Sequence, residues 1–194
     1  MTRQALAIAM KFMFPTCAIV GEASDGDEAR ELCLRLKPSV LITDLRLPKR
    51  NGIALITQLK LMLPGMGVMV HTGSECAVML ALACEAHPAA VIHSDDGLNG
   101  LRKAFEAATT GERYISKAVM ERVKKLGGDR IPLTHMEISI LSMVTEGQQT
   151  KEIASRMSIS DRTVGAHRES IHKKIGTHDP AELVKWAMRN GLLE

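Results

Sequence analysis

The sequence predicts an α/β domain built on a doubly wound parallel sheet, followed by an all-α domain of four helices. Three observations carry this expectation. Short apolar runs alternate with amphipathic stretches through the first part of the chain, the pattern of parallel strands joined by crossover helices. The strand signal stops near Ile115. Beyond it, helical segments follow one another closely, separated by short turns that contain Gly or Ser.

Taken in order, AIVGEA (18–23), VLITD (40–44), VMVHT (68–72) and AAVIH (89–93) read as buried strands, being short, apolar and rich in β-branched residues. Between them, Ala29, Leu32, Cys33 and Leu36 share one helical face, and Leu55, Ile56, Leu59 and Leu63 share another, at the i, i+3, i+4, i+7 spacing of an amphipathic helix. Gly21, Gly26, Pro38, Pro48, Gly52, Pro64 and Gly73 punctuate the joints. The polar stretch Lys124, Lys125, Gly127, Gly128, Asp129 and Arg130 has the composition of a flexible connection. The expected organisation is therefore a first domain over 1–114, a linker over 115–131 and a helical domain over 132–194.

Composition agrees with a folded, water-facing chain. Of 194 residues, 45% are hydrophobic and 24% charged, which excludes the disordered and membrane classes. The segment 1–14 is apolar but broken by Arg3, Gln4 and Lys11 and too short to span a bilayer, so neither secretion nor a membrane partner is expected, and a cytoplasmic location is. Cys17, Cys33, Cys76 and Cys84 show no CxxC spacing and are expected as buried free thiols. The net charge of +3 lies wholly beyond residue 115, where 13 basic residues meet 10 acidic ones; any polyanion partner is expected there.

The helical domain carries the clearest signals. Thr134 and Glu137 stand at capping-box spacing, ahead of Met136, Ile140, Leu141 and Val144, and Gly147 closes that helix. Lys151 to Met157 forms a second, short helix that buries Ile153, Ala154 and Met157; Ser158-Ile159-Ser160 makes the turn. Ser160 is placed to cap the third helix, with Ile159 and Val164 as a hydrophobic staple. A short helix, a tight turn and a capped longer helix make a helix-turn-helix. On the third helix Val164, Ile171 and Ile175 face inward, leaving Arg162, Ala166, Glu169 and Lys173 opposite. Double-stranded DNA is the expected partner: Lys151, Arg162, Thr163, His167, Lys173 and Lys174 are candidate phosphate contacts. Arg168 lies nearer the apolar face, where snorkelling competes with contact to DNA. Asp179-Pro180 opens a fourth helix carrying Leu183, Val184, Ala187 and Met188.

The string LTHMEISILSMVTEGQQTKEIASRMSISDRTVGAHRESIHKKIG, continued by DPAELVKWAMRNGLL, resembles the LuxR-type helix-turn-helix of NarL/FixJ-family response regulators. By that resemblance Gly165, Ala166 and Glu169 face base edges. A basic residue is usual at the place of Gly165, so the ordinary guanine contact is missing there, while Ala166 suits a thymine methyl and Glu169 a cytosine amino group.

The first domain resembles a receiver through IVGEASDGDEA, PSVLITDLRLPKRNGIALI and VMVHTGS, which implies a flavodoxin-like fold with its first strand missing. The resemblance puts Asp44 at the phosphoacceptor place and Thr72 at the hydroxyl place. It also exposes losses. Ser94 fills the lysine place, Val91 the aromatic switch place, and no carboxylate precedes Glu22 to supply the acidic pair. Phosphoryl transfer to a carboxylate needs a divalent metal held by further oxygens and a nearby cation, so Asp44 is expected to be inactive. No cofactor is expected, with magnesium relevant only to a phosphorylated Asp44.

In the flavodoxin-like order the missing strand lies between the second and third. Direct pairing of those two, cover from another chain, or a start placed too late would each resolve the gap. The expected function is a sequence-specific DNA-binding transcription regulator that acts without phosphorylation, as a homodimer, its first domain open to a protein partner. The alternatives are a phosphorylation-switched regulator with a truncated N-terminus, and a protein-binding antagonist of a related regulator. An enzyme is not expected: no nucleotide loop, metal-ligand cluster or nucleophile-base constellation occurs, no metal site is expected, and His71, His87 and His93 are scattered.

Overall fold

A computed structural model describes residues 3–48, 52–124, 133–157 and 159–189. Four parallel strands, β1 (Val40–Thr43), β2 (Gly67–Thr72), β3 (Ala90–His93) and β4 (Tyr114–Ile115), pair in that order. Alternation along β2 divides the core: Val68 and Val70 join one buried cluster, Met69 the other, as the two-residue period of a strand requires.

Helices α1 (Arg3–Met13) and α5 (Gly97–Thr110) cover the Met69 face. Met10, Leu101, Ala104 and Phe105 are buried there against Ala90 and Ile92, and Phe14 packs on Phe105 with ring centroids 4.4 Å apart. Helices α2 (Gly26–Leu36), α3 (Gly52–Met62), α4 (Ala77–Glu85) and α6 (Lys117–Lys124) belong to the opposite cluster. The anticipated stripes of α2 and α3 are buried at Ala29, Cys33, Leu55, Ile56 and Leu59, with Leu36 exposed at the rim.

The helical domain comprises α7 (His135–Thr145), α8 (Thr150–Met157), α9 (Asp161–Ile175) and α10 (Pro180–Arg189). Each anticipated cap is present. Thr134 and Glu137 complete the capping box of α7, Ser160 accepts from the Thr163 amide, and Asp179 accepts from the Ala181 amide at 2.8 Å. Such a cap contributes about 1 kcal/mol. Helix α7 also packs against α3, so one continuous apolar core links the two domains.

Four expectations need correction. The 18–23 run forms no strand: among the described residues β1 pairs with β2 alone, and Ile19 and Val20 are exposed. A strand exists only by exchanging backbone hydrogen bonds with a neighbour, and this segment lies instead beside α2, with Gly21 against Leu36 and Leu32 and Ala23 held by Arg3. The segment before it is a helix. The linker does not begin at 115, because Ile115 belongs to β4 and α6 docks on β3, burying Val119; residues 125–131 lie outside the described residues. Finally, Cys17 is exposed and Cys84 half-buried, whereas Cys33 and Cys76 are buried as expected.

Candidate nucleic-acid interface and carboxylate pocket

The interface follows from how α9 is set. Val164 and Ile171 are buried on its inner side and share a core with Ile153, Ala154, Ile140, Leu141 and Leu183. This anchoring turns Arg162, Thr163, Ala166, Glu169 and Lys173 outward, all exposed, and Lys151 is exposed at the start of α8. The stripe is open with the first domain in place. Gly165 and His167 are half-buried at its margin, and a Cβ on Gly165 would meet nothing within 4 Å. Packing therefore does not require glycine at that position.

Two cations stand apart from the stripe. Arg168 is half-buried and donates to the Thr150 hydroxyl at 3.1 Å, tying α9 to α8. Lys174, anticipated on the phosphate side, donates instead to both Glu137 carboxylate oxygens at 2.9 and 2.7 Å. Sequence periodicity did not show this pair, although a capping-box glutamate near the core was a hint that a cation should follow. The chain leaves α9 at Gly176, whose φ of 79° suits glycine.

The second site sits at the C-terminal ends of the parallel strands. Asp44 follows β1, Thr72 ends β2 and Ser94 follows β3, so the sheet brings the three sequence positions to one edge. Asp44 Oδ1 accepts from the Thr72 hydroxyl at 2.6 Å, from the Leu45 amide at 2.6 Å and from the Arg46 amide at 3.4 Å. The turn after β1 is tight: a Cβ on Gly52 would come within 2.8 Å of Leu45 Cα and its carbonyl oxygen, which explains glycine there.

This donor set does not fit a magnesium ion. Magnesium asks for six oxygens in near-octahedral geometry, whereas one oxygen of Asp44 already receives three protein donors. Among the described residues, the grouping of three His, Cys, Asp or Glu side chains close enough to ligate one ion is Glu75, His93 and Asp95, which leaves Asp44 out.

That grouping was not anticipated. His93 is buried, with Nδ1 3.0 Å from Asp95 Oδ2 and Nε2 3.4 Å from Glu75 Oε1. Arg122, on α6, donates to both Glu75 oxygens at 2.8 Å and to Asp95 at 2.7 Å. The four residues span 47 positions, and no local motif marks them.

A parallel α/β domain with an aspartate at its strand ends, joined to a helix-turn-helix with an exposed basic stripe, defines a two-domain regulator class. Comparison with known proteins agrees. The model for the response regulator receiver domain matches residues 2–105, and that for bacterial regulatory proteins of the LuxR family matches 131–187. The chain belongs to the response regulator receiver family, with a LuxR-type DNA-binding domain at its C-terminal end. It is 28% identical to the transcriptional regulatory protein LiaR of Bacillus subtilis, over 100% of this chain and 94% of that one. With YdfI of the same organism it shares 27% identity over 90% and 85% of the two chains. Among solved structures it resembles the RcsB response regulator of Salmonella typhimurium, with a TM-score of 0.72, 22% identity, and 97% and 94% of the chains covered. A structure of two RcsB dimers bound to two parallel DNAs gives a TM-score of 0.61 at 23% identity, over 95% and 91%.

Among the described residues, no helix is long and apolar enough to cross a membrane.

Proposed function

We propose that this chain is a sequence-specific transcription regulator that binds DNA as a homodimer without phosphorylation of Asp44. The observation that carries the reading is the accessible α9 stripe of Arg162, Thr163, Ala166, Glu169 and Lys173 in a structure whose two domains already share a core. No domain release is needed before such a helix enters a major groove. Lys151, Arg162 and Lys173 are assigned to phosphates, Ala166 and Glu169 to base edges, with Thr163, Gly165 and His167 beside them.

Independence from phosphate is supported by the pocket itself. Ser94 and Val91 carry neither the positive charge nor the aromatic ring that would sense a phosphoryl group, and the Asp44 oxygen that Thr72 holds is already satisfied. Dimerisation is supported by α1, which exposes Ile8 (69%) and Phe12 (84%) one turn apart, an apolar stripe that water disfavours. RcsB, whose fold this chain shares, binds DNA as dimers in one solved structure.

Selection of bound duplexes from a random pool, run with and without acetyl phosphate, tests the proposal. The expected result is one paired-half-site consensus, identical in both arms. Enrichment only in the phosphorylated arm would return the chain to the switched class, and no enrichment in either arm would favour the antagonist reading. For assembly, light scattering at tens of micromolar should give a dimer that Phe12→Glu disrupts; a wild-type monomer binding DNA one-to-one overturns that part.

A further inference from the structure

We infer that Glu75, His93 and Asp95 form a binding site for a divalent transition-metal ion of the zinc class, and that Arg122 fills it as an internal cation when the ion is absent. The sheet builds the site. Thr72 and His93 are partners in the β2–β3 register, so Glu75, three residues past one, and Asp95, two past the other, emerge side by side. One donor atom of each residue lies within 4.8 Å of the others.

The guanidinium satisfies the two carboxylates but leaves the imidazole unsatisfied. The His93 side chain is 2% exposed and its buried Nε2 makes no hydrogen bond. Nδ1 meets contrary demands: it lies 3.2 Å from the Asp95 amide, which must donate, and 3.0 Å from Asp95 Oδ2, which must accept. A neutral imidazole carries one N–H and one lone pair. With the proton on Nδ1, the Asp95 amide is opposed and the lone pair of Nε2 points at Glu75. With the proton on Nε2, Nδ1 accepts from the Asp95 amide at 3.2 Å but also faces the Asp95 carboxylate at 3.0 Å, and Nε2–H makes no hydrogen bond, Glu75 Oε1 lying 3.4 Å away. An unsatisfied polar atom in a buried ring is costly, and with the proton on Nδ1 a metal ion accepts the Nε2 lone pair, which no proton donor meets.

The donor chemistry selects the ion. One imidazole nitrogen and two carboxylate oxygens suit zinc and its first-row neighbours better than the all-oxygen preference of magnesium or calcium. Bonds of about 2.0–2.1 Å in a tetrahedron put ligand atoms roughly 3.4 Å apart, so the triad must draw together. Glu75 and Asp95, 70% and 62% exposed, can rotate toward the buried imidazole once Arg122 releases them. A dication also neutralises both carboxylates, where Arg122 neutralises one charge. Arginine keeps its proton throughout the working pH range, so it must be displaced. Since Arg122 ties α6 to the ends of β2 and β3, metal binding and this tether oppose each other reciprocally.

The test is a zinc titration of the full chain by calorimetry, with cobalt absorption as a second readout, on wild type and four variants whose folding is checked by circular dichroism. Glu75→Gln and Asp95→Asn, at exposed side chains, should each weaken binding by tenfold or more, about the loss expected when a site's support is removed. Arg122→Gln should tighten it by about tenfold, because the competing cation is gone. His93→Gln should abolish it where that variant folds. Cobalt should give a nitrogen–oxygen spectrum without thiolate charge transfer, which separates this site from the cysteines. Dissociation constants above about 1 mM for wild type, equal affinity in Glu75→Gln and Asp95→Asn, or weaker binding in Arg122→Gln would each overturn the assignment.

Discussion

The Nζ of Lys174 donates to both carboxylate oxygens of Glu137, at 2.9 and 2.7 Å, and so fastens the last turn of α9 to the first turn of α7. Glu137 is 3% exposed and also accepts from the Ser170 hydroxyl at 2.6 Å and the Thr134 amide at 2.6 Å. Burial pushes its pKa up, but the hydrogen bonds from Lys174, Ser170 and Thr134 outweigh burial and hold it at about 2. A depressed folded-state pKa gives stability that is present above the unfolded value of 4.5 and is lost as pH falls toward about 2. Thermal melts of the helical domain should therefore drop progressively across that window, and Glu137→Gln should flatten the drop. An equally steep loss in the variant would assign it to other carboxylates.

The same pair makes Lys174 a residue of the fold. Lys174→Ala leaves a buried carboxylate without its cation, at a cost of about 2 kcal/mol, the worth of a charged hydrogen bond reduced for a partly exposed partner. The loss should shrink when Glu137 is already Gln, since a double-mutant cycle isolates the pair. At a temperature where both proteins are folded, DNA affinity should change less for Lys174→Ala than for Lys173→Ala. The reverse ranking would place Lys174 at the phosphates.

Lys173 and Glu169 separate position from sequence. Lys173→Ala should weaken binding to all duplexes alike and lower the slope of log affinity against log salt by about one unit. Glu169→Ala should instead relax preference at one base pair, by about 1–3 kcal/mol. Unchanged selectivity in the Glu169 variant removes that residue from the base-reading set.

Gly165 lies in a helix with open space where its side chain would be. Gly165→Lys should therefore stabilise the domain by up to about 1 kcal/mol through helix propensity, and the added cation should tighten binding to DNA. Denaturant unfolding and the salt dependence of binding measure the two effects separately. A destabilised variant would mean that the glycine is needed for the fold.

Much of this was legible because it is local. The capping box at Thr134 and Glu137, the Ser160 cap and the inward spacing of Val164 and Ile171 are set within a few residues, and each stands where the sequence put it. What was hidden is long-range. Ile19 and Val20 have strand propensity, but a ladder partner is a tertiary fact, and among the described residues β1 pairs with β2 alone. The Lys174–Glu137 pair joins residues 37 apart, and Arg122 reaches 47 positions back to Glu75, distances at which side-chain periodicity says nothing. The α1 helix was legible in principle: Leu6, Ala9, Met10 and Met13 recur at helical spacing and pack on the second cluster, while Ile8 and Phe12 stay exposed.

Asp44→Asn should leave DNA affinity within about twofold of wild type. The replacement keeps an oxygen able to accept from the Thr72 hydroxyl and the Leu45 and Arg46 amides, the contacts this side chain makes, so the pocket should keep its shape. What it removes is the charge on which phosphoryl transfer depends, and that charge stands without the partners the chemistry requires. Ser94 brings no cation, and Val91, fully buried in β3, offers no ring to swing between exposed and buried states. On the proposed reading, the loss of counter-charge at Ser94 and of readout at Val91 together uncouples phosphate from α9. Acetyl phosphate or a beryllium fluoride mimic should accordingly leave both the oligomer and the affinity unchanged. A stoichiometric phospho-aspartate adduct at Asp44 by mass spectrometry, coupled to binding about tenfold tighter, would show that the pocket recruits its missing groups from elsewhere.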